Sequence, residues 1–244
     1  MYLMSITLGL LGLLIGSFLN VIIYRVPRGE SIVSPGSHCP ACGHTLRAWE
    51  LIPVISFLIQ KGQCLNCRAR ISWRYPAVEL LTGMLFFFTA TLSLRTETHP
   101  FRLLLNLVFI AVLIALSFID LDTFRLPDVL TLPLLGIGLL GAFLIPGNPS
   151  GWESVLSALG AGGLFWGIAR VYPQGMGLGD VKLVAALGVF LGFPSIFLAV
   201  FIGSLVGALV GLVLFFTGQK HFRQQIPFGP YLAFGAIFAL WWGA

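Results

Sequence analysis

The sequence predicts an all-α polytopic membrane protein of about eight transmembrane helices, with one small loop domain between the first two. Three observations predict it. Of the 244 residues, 57% are hydrophobic and 9% charged, and the mean hydropathy is +0.96, far outside the usage of soluble globular domains. The apolar residues fall in long, nearly chargeless runs, as bilayer-crossing segments require. One stretch alone, Arg25 to Tyr75, is long and polar enough to fold outside a membrane.

The runs place spans at residues 3–24, 76–94, 103–119, 129–146, 153–171, 182–194, 195–217 and 229–243. The sixth is short and runs into Phe193-Pro194, which blurs its end. The first lacks a basic start and continues into Asn20 and Tyr24 without a small-residue cleavage site, so it is expected to be a retained helix rather than a secretory signal. Eight crossings put the loops alternately on two sides, and of the 14 Lys and Arg all but Arg95 and Arg102 fall on one of them. Basic loops stay in the cytoplasm, so both termini are expected outside. The net charge of +5 then reflects topology and attraction to anionic membrane lipid, and it argues against nucleic acid as a partner. This organisation divides the chain into a first helix (1–24), a cytoplasmic loop domain (25–75) and a core of about seven helices (76–244).

All four cysteines lie in the loop domain. They read HCPACGH at Cys39 and Cys42, then QCLNCR at Cys64 and Cys67, a C-x2-C pair repeated after 21 residues. Two such knuckles supply four thiolates at the spacing that a structural Zn2+ takes, and Gly43 suits the tight turn after the first pair. In a reducing cytoplasm, paired disulfides are the weaker alternative. His38 and His44 flank the first knuckle and are expected on the surface, the thiols being sufficient. A loop of roughly 50 residues buries little core, so the metal is expected to hold it together. A four-thiolate site leaves no open position for substrate.

Two short segments carry all four aspartates: FIDLDTFRLPD at Phe118 to Asp128 and GMGLGDVK at Gly175 to Lys182. An ionisable group at the edge of an apolar run is costly, and its default reading is functional. Two spans separate Asp120 from Asp180, so both carboxylates are expected at the same, cytoplasmic, boundary. Asp120 ends the third span, whereas Asp180 opens the sixth, where the helix dipole favours negative charge. Such an asymmetric pair is what an aspartic dyad needs: two carboxyls share one proton, the ionised one activates water and the protonated one donates to the substrate carbonyl. Gly175, Gly177 and Gly179 would let the backbone approach a substrate strand closely. As a phosphate cradle the same glycines fit G-x-G-x-x-G poorly, and no strand precedes them. Asp122 is expected in a boundary ion pair with Arg125 and Asp128 as the cap of the fourth span. Lys182 either snorkels at the boundary or tunes the dyad.

Together these segments resemble the prepilin leader peptidases, the bacterial inner-membrane GxGD aspartic proteases also called type IV prepilin peptidase/N-methyltransferases. The resemblance covers nearly the whole chain: GSFLNVIIYRVPRGES at Gly16 to Ser31, the double CxxC, RYPAVELLTG at Arg74 to Gly83, IDLDTFRLPD and GMGLGDVK, in that order. It implies catalytic roles for Asp120 and Asp180 and zinc ligation by Cys39, Cys42, Cys64 and Cys67; Gly177, Gly179 and Lys182 stand beside these as candidate substrate and backbone support read from the residues themselves. It implies removal of the leader from a prepilin or pseudopilin helix at the cytoplasmic face of the inner membrane, followed by S-adenosylmethionine-dependent methylation of the new N-terminus. Glu79 stands as the candidate contact to the cofactor amine or the substrate N-terminus, with a boundary pair to Arg74 as the equal alternative, and Asn20 and Arg25 as similar candidates.

Two other classes compete. A carboxylate-coupled transporter would place acids near the bilayer midplane within paired, interrupted helices, whereas here the aspartates cluster at one boundary and no internal repeat is seen. A membrane-anchored zinc adaptor would leave the aspartate segments without a purpose. The oligomeric state, the particular pilin and the pilus or secretion system it serves are left open.

Overall fold

A computed structural model describes residues 2–96, 98–146, 149–172, 175–217 and 226–243. Lys220 and Arg223, counted above on the basic side, lie outside the described residues. The structure divides into two compact units, Met1–Glu97 and Thr98–Ala244.

In the first unit, α1 (Tyr2–Arg25) packs along α3 (Arg74–Arg95). Small residues let the two backbones meet: a Cβ on Gly12 would come within 2.9 Å of the Cα of Gly83, the close approach by which helices associate in lipid. The loop between them holds the short helix α2 (Ile55–Ile59) and no strand among its described residues, only isolated bridges at His38–Thr45 and Gln63–Arg70. Asn20 donates to the carbonyls of Gly16 and Tyr75, and Arg25 to those of Ser31 and Gly36. Both side chains are buried, and their donors tie the loop to α1.

The second unit contains α4 (Pro100–Thr123), α5 (Asp128–Leu144), α6 (Gly151–Val171), α7 (Leu178–Leu191), α8 (Ser195–Phe216) and α9 (Gly229–Trp242). Its core is centred on α7, whose Leu183, Val184, Ala186 and Leu187 are wholly enclosed; α5 and α6 pack against α7, and α9 against α4 and α8. Ser154 of α6 donates to the carbonyl of Val189 at 2.8 Å, an interhelical bond of the kind apolar surroundings favour. On α8 only Ser195, Ile196, Ala199 and Gly203 are buried, while Phe197, Phe201, Leu205 and Leu209 are exposed. In water that surface would drive aggregation; on a membrane helix it is the lipid face.

All eight long helices fall where the apolar runs placed them. Five are long and apolar enough to cross a membrane, namely α1, α3, α4, α6 and α8. The other three, α5, α7 and α9, have 17, 14 and 14 residues. At 1.5 Å per residue a 14-residue helix spans about 21 Å, short of the roughly 30 Å hydrocarbon thickness. The roughly eight membrane helices expected thus comprise, among the described residues, five full-length candidate spans and three shorter helices, of which α5 and α9 are apolar. For α7 the shortness follows from enclosure, because a helix walled in by protein has no lipid thickness to match.

Candidate active site and metal-binding loop

The end of α4 and the starts of α5, α7 and α9 come together around one side chain, Leu126. Asp120, in the last turn of α4, is 5% exposed, and its Oδ2 accepts the N–H of Gly229 at 2.9 Å. Asp180, half-buried in the first turn of α7, accepts the N–H of Gly177 through its own Oδ2 at 3.2 Å. Asp120 and Asp180 lie within electrostatic range of each other. Each has one oxygen fixed by a backbone donor and no other hydrogen bond among the described residues.

Glycines pack tightly on both sides of Leu126. A Cβ on Gly179 would lie 3.1 Å from Cβ of Leu126, and one on Gly229 would lie 3.2 Å from Cδ2 of Leu126 and 2.9 Å from Oδ2 of Asp120. Bare backbone at these two positions lets α7 and α9 close on this leucine without a shift and brings their N-termini, with their partial positive charge, up to the carboxylates. Phe124 ends α4 in the left-handed conformation (φ 53°), and its N–H bonds back to the carbonyl of Asp120, which turns the chain sharply into Leu126 and α5.

Neither Leu126 nor Gly229 was singled out from the sequence. Leu126 reads as one apolar residue among many. A glycine between Pro227 and Pro230 at a helix start signals a special backbone, but nothing local joins it to Asp120.

Lys182 turns toward α5 and not toward the dyad. Its Nζ lies 2.7 Å from both carboxylate oxygens of Asp128, a partner that neither reading of the lysine named. The same contact corrects the role of Asp128. Pro127, fixed in extended conformation, occupies the cap position of α5, and Asp128 is the first helical residue with its carboxylate committed to the lysine.

In the first unit the two knuckles are near copies. Cys39 N–H donates to the carbonyl of His44 and Gly43 N–H to that of Cys39; Cys64 N–H donates to Ala69 and Arg68 N–H to Cys64, all at 2.9 Å. Gly43 takes the left-handed turn position (φ 72°), and its counterpart Arg68 takes the same conformation (φ 59°) without being glycine. The four Sγ atoms lie within 4.8 Å of one another, with Cys39–Cys67 at 3.8 Å and Cys42–Cys64 at 4.0 Å. These separations are too long for disulfides, and the cluster can hold a metal ion. A tetrahedral ion with sulfur at 2.3 Å needs ligand separations of about 3.8 Å.

The thiols do not ionise alike. The N–H of His44, and then the Asn66 side chain, draw the Cys42 thiol down to about 6. Cys67 is drawn down by the Ala69 N–H, but the neighbouring thiols of Cys42 and Cys64 outweigh it and push it up to about 11. Four thiols this close cannot all become thiolates unless a cation sits among them.

Neither histidine joins the cluster. His38 meets the carbonyl of Gly36, and His44 meets Glu50 at 3.2 Å. Glu50, buried, also accepts the N–H of Arg47, which is the main reason its carboxyl is held below the usual range.

Glu79 is buried too, and its carboxylate accepts the N–H of Val54 at 2.8 Å and bonds the Ser17 hydroxyl. It thus links α1 and α3 to the entry of α2, where Val54 sits in a left-handed conformation (φ 61°). The bond from Val54 engages one carboxylate oxygen, Oε2, and ties the start of α3 to the loop.

Comparison with known proteins agrees with this two-part construction. Residues 10–93 match the bacterial peptidase A24 N-terminal domain, and residues 107–212 match the type IV leader peptidase family. The prepilin leader peptidase/N-methyltransferase of Aeromonas salmonicida is 40% identical over 264 residues, covering 96% of this chain and 89% of the relative. The chain belongs to the type IV leader peptidase family. Relatives of the same name in Neisseria gonorrhoeae and Pseudomonas aeruginosa are each 38% identical, covering 91% and 96% of this chain and 85% and 89% of their own lengths. No solved structure matches the chain.

Proposed function

We propose that this family member is an aspartic endopeptidase that removes the leader from type IV prepilins or pseudopilins at the cytoplasmic boundary of the bacterial inner membrane, and then methylates the new N-terminus. The observation that carries the reading is the convergence of Asp120 and Asp180 around Leu126, each with one carboxylate oxygen held by a backbone N–H.

In this reading Asp180, at the N-terminus of α7, is the ionised partner. It takes a proton from a water whose oxygen attacks the scissile carbonyl carbon, while Asp120, protonated, donates to the carbonyl oxygen. The tetrahedral diol then collapses: one of its hydroxyls returns a proton to Asp120, the C–N bond breaks, and the proton gained by Asp180 leaves with the amine. The Gly229 and Gly177 donors hold the inactive oxygen of each carboxyl, so that the other faces the water and the substrate. The pair titrates as one unit. Lys182 and Asp128 fix α7 against α5 and so set where Asp180 stands.

The cysteine cluster is read as a structural Zn2+ site of Cys39, Cys42, Cys64 and Cys67, which clamps the two knuckles together and performs no chemistry. S-adenosylmethionine would supply the methyl group to the amine freed by cleavage. Glu79 is read as the candidate contact to the cofactor amine or the substrate N-terminus, while its bond to Val54 holds the loop against α3.

The test is to co-express a prepilin with the enzyme and read the mass of its mature N-terminus. Wild type is expected to give a shortened product bearing one methyl group, and Asp180→Asn to leave the leader attached while inserting normally. Near-normal cleavage by Asp180→Asn would sink the dyad.

A further inference from the structure

The loop between α1 and α3, with the helix ends that flank it, accounts for the whole net charge of the chain. Residues 25–75 hold seven Lys and Arg against two Glu, and the remaining basic and acidic residues cancel. The hydrophobic residues of α2 are also turned outward: Ile55 is 55% exposed, Leu58 62% and Ile59 75%. Trp73, the residue before α3, is 74% exposed and stands edge-on to Phe57 with ring centroids 4.7 Å apart. Between α2 and the second knuckle lies a half-open cleft of about 500 Å3, walled by Phe57, Leu58, Ile71 and Trp73 and edged by Lys61 and Arg70. The backbone turns left-handed at two successive residues on its rim, Lys61 (φ 52°) and Gly62 (φ 67°).

Neither Lys61 nor Arg70 has an ion pair or side-chain hydrogen bond among the described residues, and no carboxylate lines the cleft. Two unpaired cations beside an aromatic and aliphatic wall suit a phosphate that carries acyl chains. A methyl donor bearing sulfonium and ammonium charges fits poorly where nothing negative faces it. The cleft is also continuous with the membrane boundary, since Trp73 directly precedes a helix long enough to cross the bilayer, and exposed tryptophan at that level is an interfacial anchor.

We propose that this cleft binds the phosphate of an anionic phospholipid in the leaflet that α3 enters, with Leu58 and Trp73 against its upper acyl chains. Lys61 and Arg70 grip the headgroup, and the metal-binding loop is thereby seated on the membrane surface. The site is separate from the proteolytic chemistry and stands whether or not the dyad reading holds.

The test uses the full chain in nanodiscs of phosphatidylcholine alone or of phosphatidylcholine with phosphatidylglycerol, followed by hydrogen exchange of residues 55–73. In wild type the anionic lipid is expected to slow exchange across this segment by about tenfold. In Lys61→Ser/Arg70→Ser the slowing should vanish while amides of α1 and α3 keep their rates, and Arg70→Lys should retain most of it. Equal exchange in the two nanodiscs for wild type would overturn the proposal, as would undiminished slowing in the double variant. So would the same protection given by inorganic phosphate or by S-adenosylmethionine in phosphatidylcholine discs, because the cleft would then be a site for a free solute.

Discussion

Cys39 and Cys42 stand three residues apart, as do Cys64 and Cys67, and each pair is shaped by backbone hydrogen bonds that reach no more than nine residues along the chain. Asp120 takes its backbone donor from Gly229, 109 residues away, and it meets Asp180 only because Leu126 is accepted by glycines on two further helices. The metal loop is thus two local turns that need a clamp, whereas the carboxylate pair is a long-range assembly that needs only packing. The difference implies opposite weaknesses. The loop should fail when its clamp is removed, and the pair should fail when any one of four helix ends moves.

The largest effect on the loop side is expected from Cys39→Ser/Cys42→Ser. Structural zinc supplies on the order of 10 kcal/mol to small domains that cannot fold without it, so bound metal should fall to background by elemental analysis and amide protection across residues 37–72 should collapse. Unchanged metal content would refute the four-cysteine site.

On the other side, Gly229→Ala puts a carbon 2.9 Å from Oδ2 of Asp120 and 3.2 Å from Leu126. A displacement of about 1 Å at a reacting group costs on the order of 100-fold, so prepilin cleavage should fall by roughly that factor while metal content stays whole. A loss under about threefold would mean that the Gly229 donor does not set the geometry of Asp120.

The smallest effect belongs to Lys182→Met. Its pair with Asp128 is partly exposed, with side chains 38% and 54% accessible, and such pairs contribute about 0–1 kcal/mol. Cleavage should stay within a few-fold of wild type, with a minor drop in the thermal transition measured in detergent. A loss as deep as that of Asp180→Asn would put the lysine back at the reacting carboxylates.

The same contrast governs how much the sequence disclosed. Cysteine spacing is a local property, and both knuckles are legible in it down to the turn at Gly43; only Arg68, a non-glycine in the equivalent left-handed position, goes unannounced. Helix positions were legible because apolar runs report burial in lipid or protein alike. For that reason the runs could not tell α7, enclosed and 14 residues long, from a full span. At the carboxylates, counting crossings put Asp120 and Asp180 on one face, which is coarse topology. Leu126 and Gly229 were invisible because their importance arises from contacts across more than 50 residues. Asp128 misled because a carboxylate before an apolar run looks like a cap, and only the approach of α7 shows that it answers Lys182 instead.

The central claim is that Asp120 and Asp180 act as one unit, and a double-mutant cycle on leader cleavage tests it most directly. Single-turnover rates would be measured for Asp120→Asn, Asp180→Asn and the double variant with one prepilin in bilayers. If the carboxyls share one proton and one water, the second substitution has nothing left to remove, and the double variant should cleave as slowly as either single, within a few-fold. Losses that multiply, or a single variant that keeps a near-normal rate, would contradict the account.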